Sequence, residues 1–198
     1  LRSFSNVELA RELAYIPQSA GAVYNYTVLD MVMMGMTSQI ELLRMPDESH
    51  RRKAMDALKS LGISELAGRG CNQISGGERQ LMLLARALVQ EAKILIMDEP
   101  TANLDYGNSF RVMERIRALG SAGYTVLFST HEPNQAFRYA NRVLALQDGR
   151  VLADGPPETV LTEPVLSGLY QVGVAVRQVE VAGDVFHLSI PWEKENAE

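Results

Sequence analysis

The clearest pattern in this chain is CNQISGGERQLMLLARALVQEAKILIMDEPTANLD, residues 71–105. Ser75 is a strong candidate for a helix N-cap, and Glu78, three residues later, would complete a capping box. The following apolar residues recur at i, i+3, i+4 and i+7, the spacing of a buried helix face: Leu81, Leu84, Ala85 and Leu88. The stretch therefore predicts a loop followed by an amphipathic helix.

A second feature follows this helix. Residues 94–97 form a continuous apolar run, which is typical of a strand covered on both faces. Asp98 and Glu99 come directly after the run, at the carboxyl end of the predicted strand. Ligands of open α/β sheets bind beyond the carboxyl ends of the strands. Two adjacent acids there predict a metal ligand beside a base that activates water.

The glycines after the cap suggest an anion-binding site at the start of the helix. Gly76 and Gly77 predict a bare first helix turn, where an anion can approach the exposed N–H groups. Each motif also has a purely structural interpretation, since residues 75–78 could be only a capping box and Pro100 could simply end a strand. These interpretations do not explain why the motifs occur in succession.

The ordered motifs resemble those of ATP-binding-cassette (ABC) ATPases. ISGGERQ is similar to the family's signature motif, ILIMDEP to its Walker B strand, and TANLD to its D-loop. YIPQ resembles the start of the Q-loop, and STHEPNQ resembles the H-loop. The resemblance implies an α/β fold with a P-loop NTPase-like ABC ATPase core, incomplete at the N-terminus, and an inserted α-helical subdomain.

The resemblance also assigns roles to single residues. Glu99 would polarise the attacking water, and Asp98 would hold Mg²⁺ through its water shell. The Gln18 amide oxygen would reach the Mg²⁺ or the water, although a polar loop residue is the structural alternative. His131 would touch the γ-phosphate, and its place past a second predicted buried strand favours that role over a structural one. ATP and Mg²⁺ are therefore the expected cofactors.

The signature motif would act on a different ATP molecule. In the family's arrangement, this motif closes over the ATP of a second copy bound head to tail, and the D-loop Asp105 lies where the two sites communicate. The residues expected to serve that ATP are Ser75, Gly76, Gly77 and Glu78.

One expected motif is missing from the sequence. A phosphate-cradling loop would have the form G-x-x-x-x-G-K-[ST], but none of the four lysines follows a glycine. In the family this loop precedes the segment resembling residues 1–18. We therefore interpret the chain, which starts at Leu1, as the C-terminal part of an ABC ATPase subunit; the alternative is a degenerate protein without hydrolysis. We expect these 198 residues alone not to bind ATP at micromolar concentration.

Composition limits the remaining possibilities. With 198 residues, 46% of them hydrophobic and 22% charged, the chain fits one globular domain with an insertion. A net charge of -5 without blocks of like charge gives no indication of nucleic acid. Cys71 is the single cysteine, which excludes an internal disulfide and favours a reducing compartment. No signal peptide or spanning apolar run is evident.

We expect four segments along the chain. Residues 1–18 belong to the ATPase core up to the Q-loop, and residues 19–90 form the helical subdomain with the signature motif. Residues 91–170 return to the core, with Walker B, D-loop and H-loop. Residues 171–198 form a small β-rich addition and tail.

Local patterns within these segments predict a helix capped by Thr27, a hairpin at Asp148 and Gly149, and a turn at Gly183 and Asp184. A methionine-rich stretch around residues 31–36 could be either core or a partner-binding surface.

The resemblance extends to partners. It implies a transmembrane permease whose coupling helix docks beside Gln18, at residues 19–36, and indirectly a periplasmic or extracellular substrate-binding protein. The subunit would be cytoplasmic, peripheral on the inner face of the cell membrane, with no nucleic-acid partner. The motifs look most like importers of iron–siderophore, haem, cobalamin or molybdate type, with iron–siderophore favoured. The rivals are a non-transport ABC protein and a non-catalytic binding fragment.

Overall fold

The structure, a computed structural model, describes residues 4–18, 26–37 and 46–193, with only the backbone of Asn6 and Val7. The chain forms two compact units, Leu1–Ser129 and Thr130–Glu198. The boundary after Ser129 falls inside the predicted segment 91–170, and the four-part division stays a prediction. Within the described ranges, no helix is long and apolar enough to cross a membrane.

The first unit is built from five helices and a small parallel sheet in its described part. The helices are α1 (Asn6–Glu12), α2 (Val28–Met33), α3 (Glu48–Ser60), α4 (Gly76–Leu88) and α5 (Tyr106–Ser121). The strands are β1 (Leu13–Ile16), β2 (Ile94–Met97) and β3 (Thr125–Phe128). Two short 3-10 turns lie at Met34–Met36 and Ser64–Leu66.

Up to residue 193, the second unit combines three short helices with two antiparallel hairpins. The helices are α6 (Pro133–Tyr139), α7 (Pro157–Val160) and α8 (Glu163–Tyr170). The strands are β4 (Val143–Gln147), β5 (Arg150–Gly155), β6 (Gly173–Val181) and β7 (Asp184–Trp192). Its core is formed by Ala136, Ala145, Val160, Leu161, Leu166 and Val174.

The sheet of the first unit runs β1-β2-β3, with all three strands parallel. On β2, Leu95 and Met97 are fully buried, whereas the alternate residues Ile94 and Ile96 are only partly buried. β3 was expected to be buried, but Thr125 and Leu127 are exposed. In the described part of the chain α5 packs against β3, and the prediction of strands covered on both faces is wrong for the face that carries Thr125 and Leu127.

Helix α4 is the packing centre of the first unit, because it lies against α2, α3, α5 and β1. Of the predicted face, Leu84 and Ala85 are buried, but Leu81 and Leu88 are only partly so. The buried surface also includes the neighbouring positions Met82, Leu83 and Ala87. Contacts on several sides therefore widen the buried stripe beyond the one that periodicity predicts.

The predicted helix after Thr27 forms with a full capping box, in which Thr27 and Asp30 bond reciprocally. Met31 and Met36 are buried in the core, whereas Met33 and Met34 are only partly buried, so the stretch belongs to the core at some positions and stays accessible at others. A Cβ added at Gly35 would collide with the Arg86 carbonyl oxygen of α4. The glycine thus permits the close approach of this segment to α4.

Cys71 lies in the same helical region and is only 2% exposed. Its sulfur is 3.6 Å from Met82 Sδ, and its carbonyl accepts a 2.9 Å hydrogen bond from Arg79. Burial raises the pKa of the thiol above its ordinary value. The environment is that of a small apolar core residue.

The hairpins of the second unit test two turn predictions. Asp148 and Gly149 both have positive φ, 50° and 74°, as a type I′ turn requires, so this prediction is confirmed. In the β6–β7 hairpin the turn residues are Ala182 and Gly183. The predicted turn was one residue late, because Asp184 pairs with Val181 in the strand ladder.

Candidate active site

Three strand ends of the first unit meet at one edge of the sheet. In the parallel register Ile16 lies beside Met97, and Met97 lies beside Phe128. The ladder continues one residue further, since the Asp98 N–H donates to the Ile16 carbonyl at 3.0 Å and the Ser129 N–H donates to the Met97 carbonyl at 2.9 Å. These hydrogen bonds fix the backbone of Asp98 and Ser129, the polar residues that follow β2 and β3.

Gln18 and Glu99 are in direct contact at this edge. The Gln18 Nε2 group donates a 2.9 Å hydrogen bond to Glu99 Oε2. The acceptor is an ionised carboxylate, so the bond is charge-assisted. The structure therefore brings together two residues predicted to share a site from opposite ends of a long sequence interval.

Ser129 was not among the predicted site residues, yet it holds both acids. Its hydroxyl donates to Asp98 Oδ1 at 2.7 Å and accepts from the Glu99 backbone N–H at 2.9 Å. Its only sequence signal is a hydroxyl directly after an apolar strand. That signal assigns Ser129 to the site only when β3 is known to lie beside β2. We call Gln18, Asp98, Glu99 and Ser129 the strand-end cluster.

The backbone at Glu99 adopts an unusual conformation. Its φ of 42° lies in the left-handed region, which costs a non-glycine residue about 1 to 3 kcal/mol. The turn continues with a 3.0 Å hydrogen bond from the Ala102 N–H to the Glu99 carbonyl, and Asn103 also has positive φ. Strain of this kind clusters at functional positions, and here it sets where the Glu99 side chain leaves the strand.

Ser75 and Glu78 form the predicted capping box at the start of α4. The Ser75 N–H donates to Glu78 Oε2 at 2.7 Å, and the Glu78 N–H donates to Ser75 Oγ at 3.3 Å. Hydrogen bonding from the Ser75 backbone holds the pKa of the Glu78 carboxyl below its ordinary value. Glu78 is thus a helix-capping anion in this structure.

The two glycines at the start of α4 lie in different environments. A Cβ at Gly77 would lie only 2.8 Å from Asn108 Cγ, and one at Gly76 would lie 3.1 Å from Leu104 Cδ2. Gly77 is buried. Gly76 is exposed, as a bare first turn predicts, whereas the missing side chain of Gly77 makes room for Asn108 of α5, so the prediction of an open face is wrong at Gly77.

Asp105 caps α5, the helix that supplies these neighbours. Its Oδ1 accepts from the Asn108 N–H at 2.8 Å, and its Oδ2 accepts from Asn108 Nδ2 at 2.7 Å. The backbone bond from Asn108 is the main reason that the pKa of Asp105 falls below its ordinary value. The starts of α4 and α5 flank a hollow of about 270 Å³, lined by Ser75, Glu78 and Arg111 among others.

His131 belongs to the second unit and is described within it. Its side chain is exposed, and its carbonyl oxygen accepts a 2.9 Å hydrogen bond from the Tyr170 hydroxyl. Burial raises the pKa of Tyr170, so the phenol keeps its donating proton at neutral pH. The catalytic role of His131 stays a prediction.

The residues at Asp98 fit a magnesium ion better than a metal with an all-protein cage. In the part of the chain that the structure describes, no three His, Cys, Asp or Glu side chains converge. Asp98 is an exposed carboxylate, oriented by Ser129. Mg²⁺ is usually held by one or two carboxylates together with waters and substrate phosphates. Asp98 can provide such a carboxylate.

Comparison with known proteins gives the family. The family model described as ABC transporter matches residues 3–102, and this range contains Gln18, the signature motif and both acids. This chain belongs to the ABC transporter family. The ABC motifs in ISGGERQ and ILIMDEP therefore lie in the matched region, as the sequence predicts.

The individual relatives of this chain support the family assignment. An uncharacterized ABC transporter ATP-binding protein of Haemophilus influenzae is 40% identical over 86% of this chain and 65% of its own length. A probable iron chelatin transport ATP-binding protein of Helicobacter pylori is 35% identical over 82% of this chain and 64% of its own. The chain thus spans slightly less than two thirds of these relatives. Other relatives are named for molybdate, hemin or cobalamin import.

A solved structure supports the fold of the ABC chain. An ABC transporter described as of metal-chelate type, in an inward-facing conformation, matches with a TM-score of 0.88 and 33% identity. The match covers 92% of this chain and 73% of that one. The predicted ABC ATPase fold is confirmed. The roles of the single site residues stay predictions.

Proposed function

We propose that the protein carrying this chain is the ATP-hydrolysing subunit of an ABC importer. The observation that supports this most directly is the strand-end cluster, where Gln18 bonds to Glu99 while Ser129 bonds to both Asp98 and Glu99. Phosphoryl transfer needs mainly positioning and neutralisation of charge. The cluster offers a base, a metal-directed carboxylate and two groups that orient them.

Glu99 is the general base of the proposed reaction. Its carboxylate polarises the attacking water, a task that typically contributes 10²- to 10⁴-fold to a rate. Gln18 holds that carboxylate through its amide N–H, and its amide oxygen would accept a hydrogen bond from the attacking water. Asp98 would hold Mg²⁺ through its water shell, and the ion would supply charge neutralisation at the phosphates. His131 is proposed to hold the transferred phosphoryl group.

A second copy of the protein completes the proposed site. The signature residues Ser75, Gly76, Gly77 and Glu78 close over the ATP bound by that copy, head to tail. Asp105 lies at the boundary between the two composite sites. ATP binding joins the subunits and hydrolysis separates them.

The proposed partners follow from the importer function. A transmembrane permease would receive the closing motion, and a periplasmic or extracellular binding protein would deliver the cargo to it. The subunit would work in the cytoplasm, on the inner face of the membrane. No nucleic acid takes part.

The cargo we favour is an iron–siderophore or a related metal chelate. The named iron chelatin relative and the metal-chelate type structure support this choice. Molybdate, haem and cobalamin are the alternatives, supported by other relatives.

Two measurements test the proposal separately. ATP turnover by the natural full-length protein in its membrane complex tests the enzyme, and an absence of Mg²⁺-dependent turnover would contradict the proposed activity.

Growth of a deletion strain under iron, molybdenum or cobalamin limitation tests the cargo. We expect a defect under iron limitation, and normal growth there would reject this cargo while leaving the ATPase standing. A second cassette in the same protein, without a neighbouring permease gene, would favour a non-transport ABC protein.

A further inference from the structure

Asn108 joins two motifs that are distant in sequence. It lies at the third position of α5, where its backbone N–H and its side-chain Nδ2 both donate to the Asp105 carboxylate, at 2.8 and 2.7 Å. The same side chain lies against Gly77, in the first turn of α4. One residue therefore touches both the D-loop acid and a signature glycine.

The hydrogen bonds fix the orientation of the Asn108 amide. The carboxylate of Asp105 requires a donor, which Nδ2 supplies, while Oδ1 accepts a 3.2 Å bond from Arg111 Nη1. A flipped amide would place oxygen against carboxylate and NH₂ against guanidinium. The side chain is thus held at both ends in one conformation.

The contact with Gly77 is tight over the whole side chain. A Cβ built on Gly77 would lie 2.8 Å from Asn108 Cγ, 2.9 Å from its Oδ1 and 3.0 Å from its Cβ. The first two distances are shorter than real Cβ contacts, so a side chain added at Gly77 would have to displace Asn108. The start of α4 therefore packs closely against the start of α5 at Gly77 and Asn108.

We propose that Asn108 is a positioning residue that couples the D-loop to the signature motif within one subunit. The proposal rests on the proposed ATPase function. When a second copy moves Asp105, the hydrogen-bonded Asn108 moves with it and shifts Gly77 and the first turn of α4. The residue touches no substrate and acts through the two motifs.

A merely structural helix residue would behave differently. Its loss would lower the free energy of unfolding without separating ATP binding from turnover. A coupling residue, by contrast, should leave the affinity of a subunit for its own ATP unchanged and reduce the turnover that needs the closed dimer. The ratio of these two effects distinguishes the explanations.

The test uses the natural full-length protein with Asn108→Ala and Asn108→Asp, and Ser121→Ala at the other end of α5 as the control. Asn108→Asp keeps the size but sets two carboxylates against each other. We expect kcat to fall about 10-fold or more in both variants, since small misplacements cost up to about 10²-fold. The Kd for ATP should stay within about twofold, and Ser121→Ala should match the wild type.

A double-mutant cycle tests the contact itself. Gly77→Ala should reduce kcat in the wild-type background and reduce it less in the Asn108→Ala background, because the clash is smaller there. Equal losses in the two backgrounds, or wild-type kcat in Asn108→Ala, would overturn the inference while wild-type turnover keeps the ATPase function standing. If both Asn108 variants lose ATP binding and thermal stability together, the structural explanation is correct and the coupling is rejected.

Discussion

The amide of Gln18 donates a 2.9 Å hydrogen bond to the carboxylate of Glu99, joining the ends of two adjacent parallel strands. The family resemblance assigns Gln18 to the metal or the water, whereas in this structure its amide N–H contacts the proposed base. Its carbonyl oxygen can serve the water at the same time, because an amide both donates and accepts. Displacement of Gln18 would therefore also reorient Glu99.

The first prediction concerns Glu99→Gln in the full-length protein. The variant keeps the side-chain shape and can still hydrogen-bond with Gln18, but it lacks the negative charge that polarises water. ATP turnover should fall by about 10²-fold or more, the scale of losing a general base. Equilibrium binding should show ATP affinity retained, and light scattering should show an ATP-stabilised dimer.

The matched control for this change is Glu158→Gln, an exposed acid on α7. It should hydrolyse ATP at the wild-type rate. If Glu99→Gln also keeps near-normal turnover, Glu99 is not the base.

The second prediction concerns Ser129→Ala. The change removes the hydrogen bond that orients the Asp98 carboxylate and the one that holds the Glu99 backbone N–H. Both acids should therefore be less well positioned. Each lost hydrogen bond is worth roughly 0.5 to 1.5 kcal/mol, which corresponds to a fall in turnover of about 2- to 10-fold per bond. Ser129→Thr keeps the hydroxyl and should retain most activity. Equal activity of the alanine and threonine variants would show that the hydroxyl has no positioning role.

The third prediction concerns pH and the cap of α4. Hydrogen bonds from Ser75 lower the pKa of Glu78 below its ordinary value of 4.5. A lowered pKa means that the ionised form stabilises the fold fully above pH 4.5, and that this contribution disappears as pH falls through the folded-state pKa. Urea unfolding should therefore show Glu78→Gln less stable than wild type at neutral pH, with a gap that closes on acidification. A gap independent of pH would contradict this assignment.

The fourth prediction concerns the permease contact. Val23 and Tyr26 both fall in the range 19–36, where the coupling helix is expected to dock, but Val23 lies outside the described residues. Tyr26 is 46% exposed, and its carbonyl accepts a 3.0 Å hydrogen bond from the Cys71 N–H. Tyr26→Asp places a charge in the proposed contact and should reduce uptake while ATP turnover persists, because a buried unpaired charge is costly. Tyr26→Phe is the control, and unchanged uptake in Tyr26→Asp would show that the groove is misplaced.

Local sequence rules predicted the features that depend on near neighbours. The helix cap at Thr27 and the capping box at Ser75 form as expected, because each needs only residues within one helix turn. The Asp148–Gly149 hairpin forms for the same reason. The pairing of Gln18 with Glu99 was also within reach, since parallel strands bring their carboxyl ends to one edge.

The missed features depend on which elements become neighbours. The function of Ser129 requires β3 to lie beside β2, and the role of Asn108 requires α5 to start against α4. The open face of β3 depends on what covers the sheet, which periodicity within the strand does not show. Gly77 was assigned to an open anion site because glycine is equally suited to a ligand and to a packed helix.

The buried position of Cys71 has a practical consequence for spectroscopy. It is the only cysteine in these 198 residues, it is 2% exposed, and burial raises its pKa, so little reactive thiolate forms at neutral pH. Maleimide labels should therefore react selectively with cysteines engineered on the surface of this chain, without prior replacement of Cys71. Distances between the α4 and α5 starts, or between two copies, become measurable by fluorescence or spin labels in an otherwise native sequence.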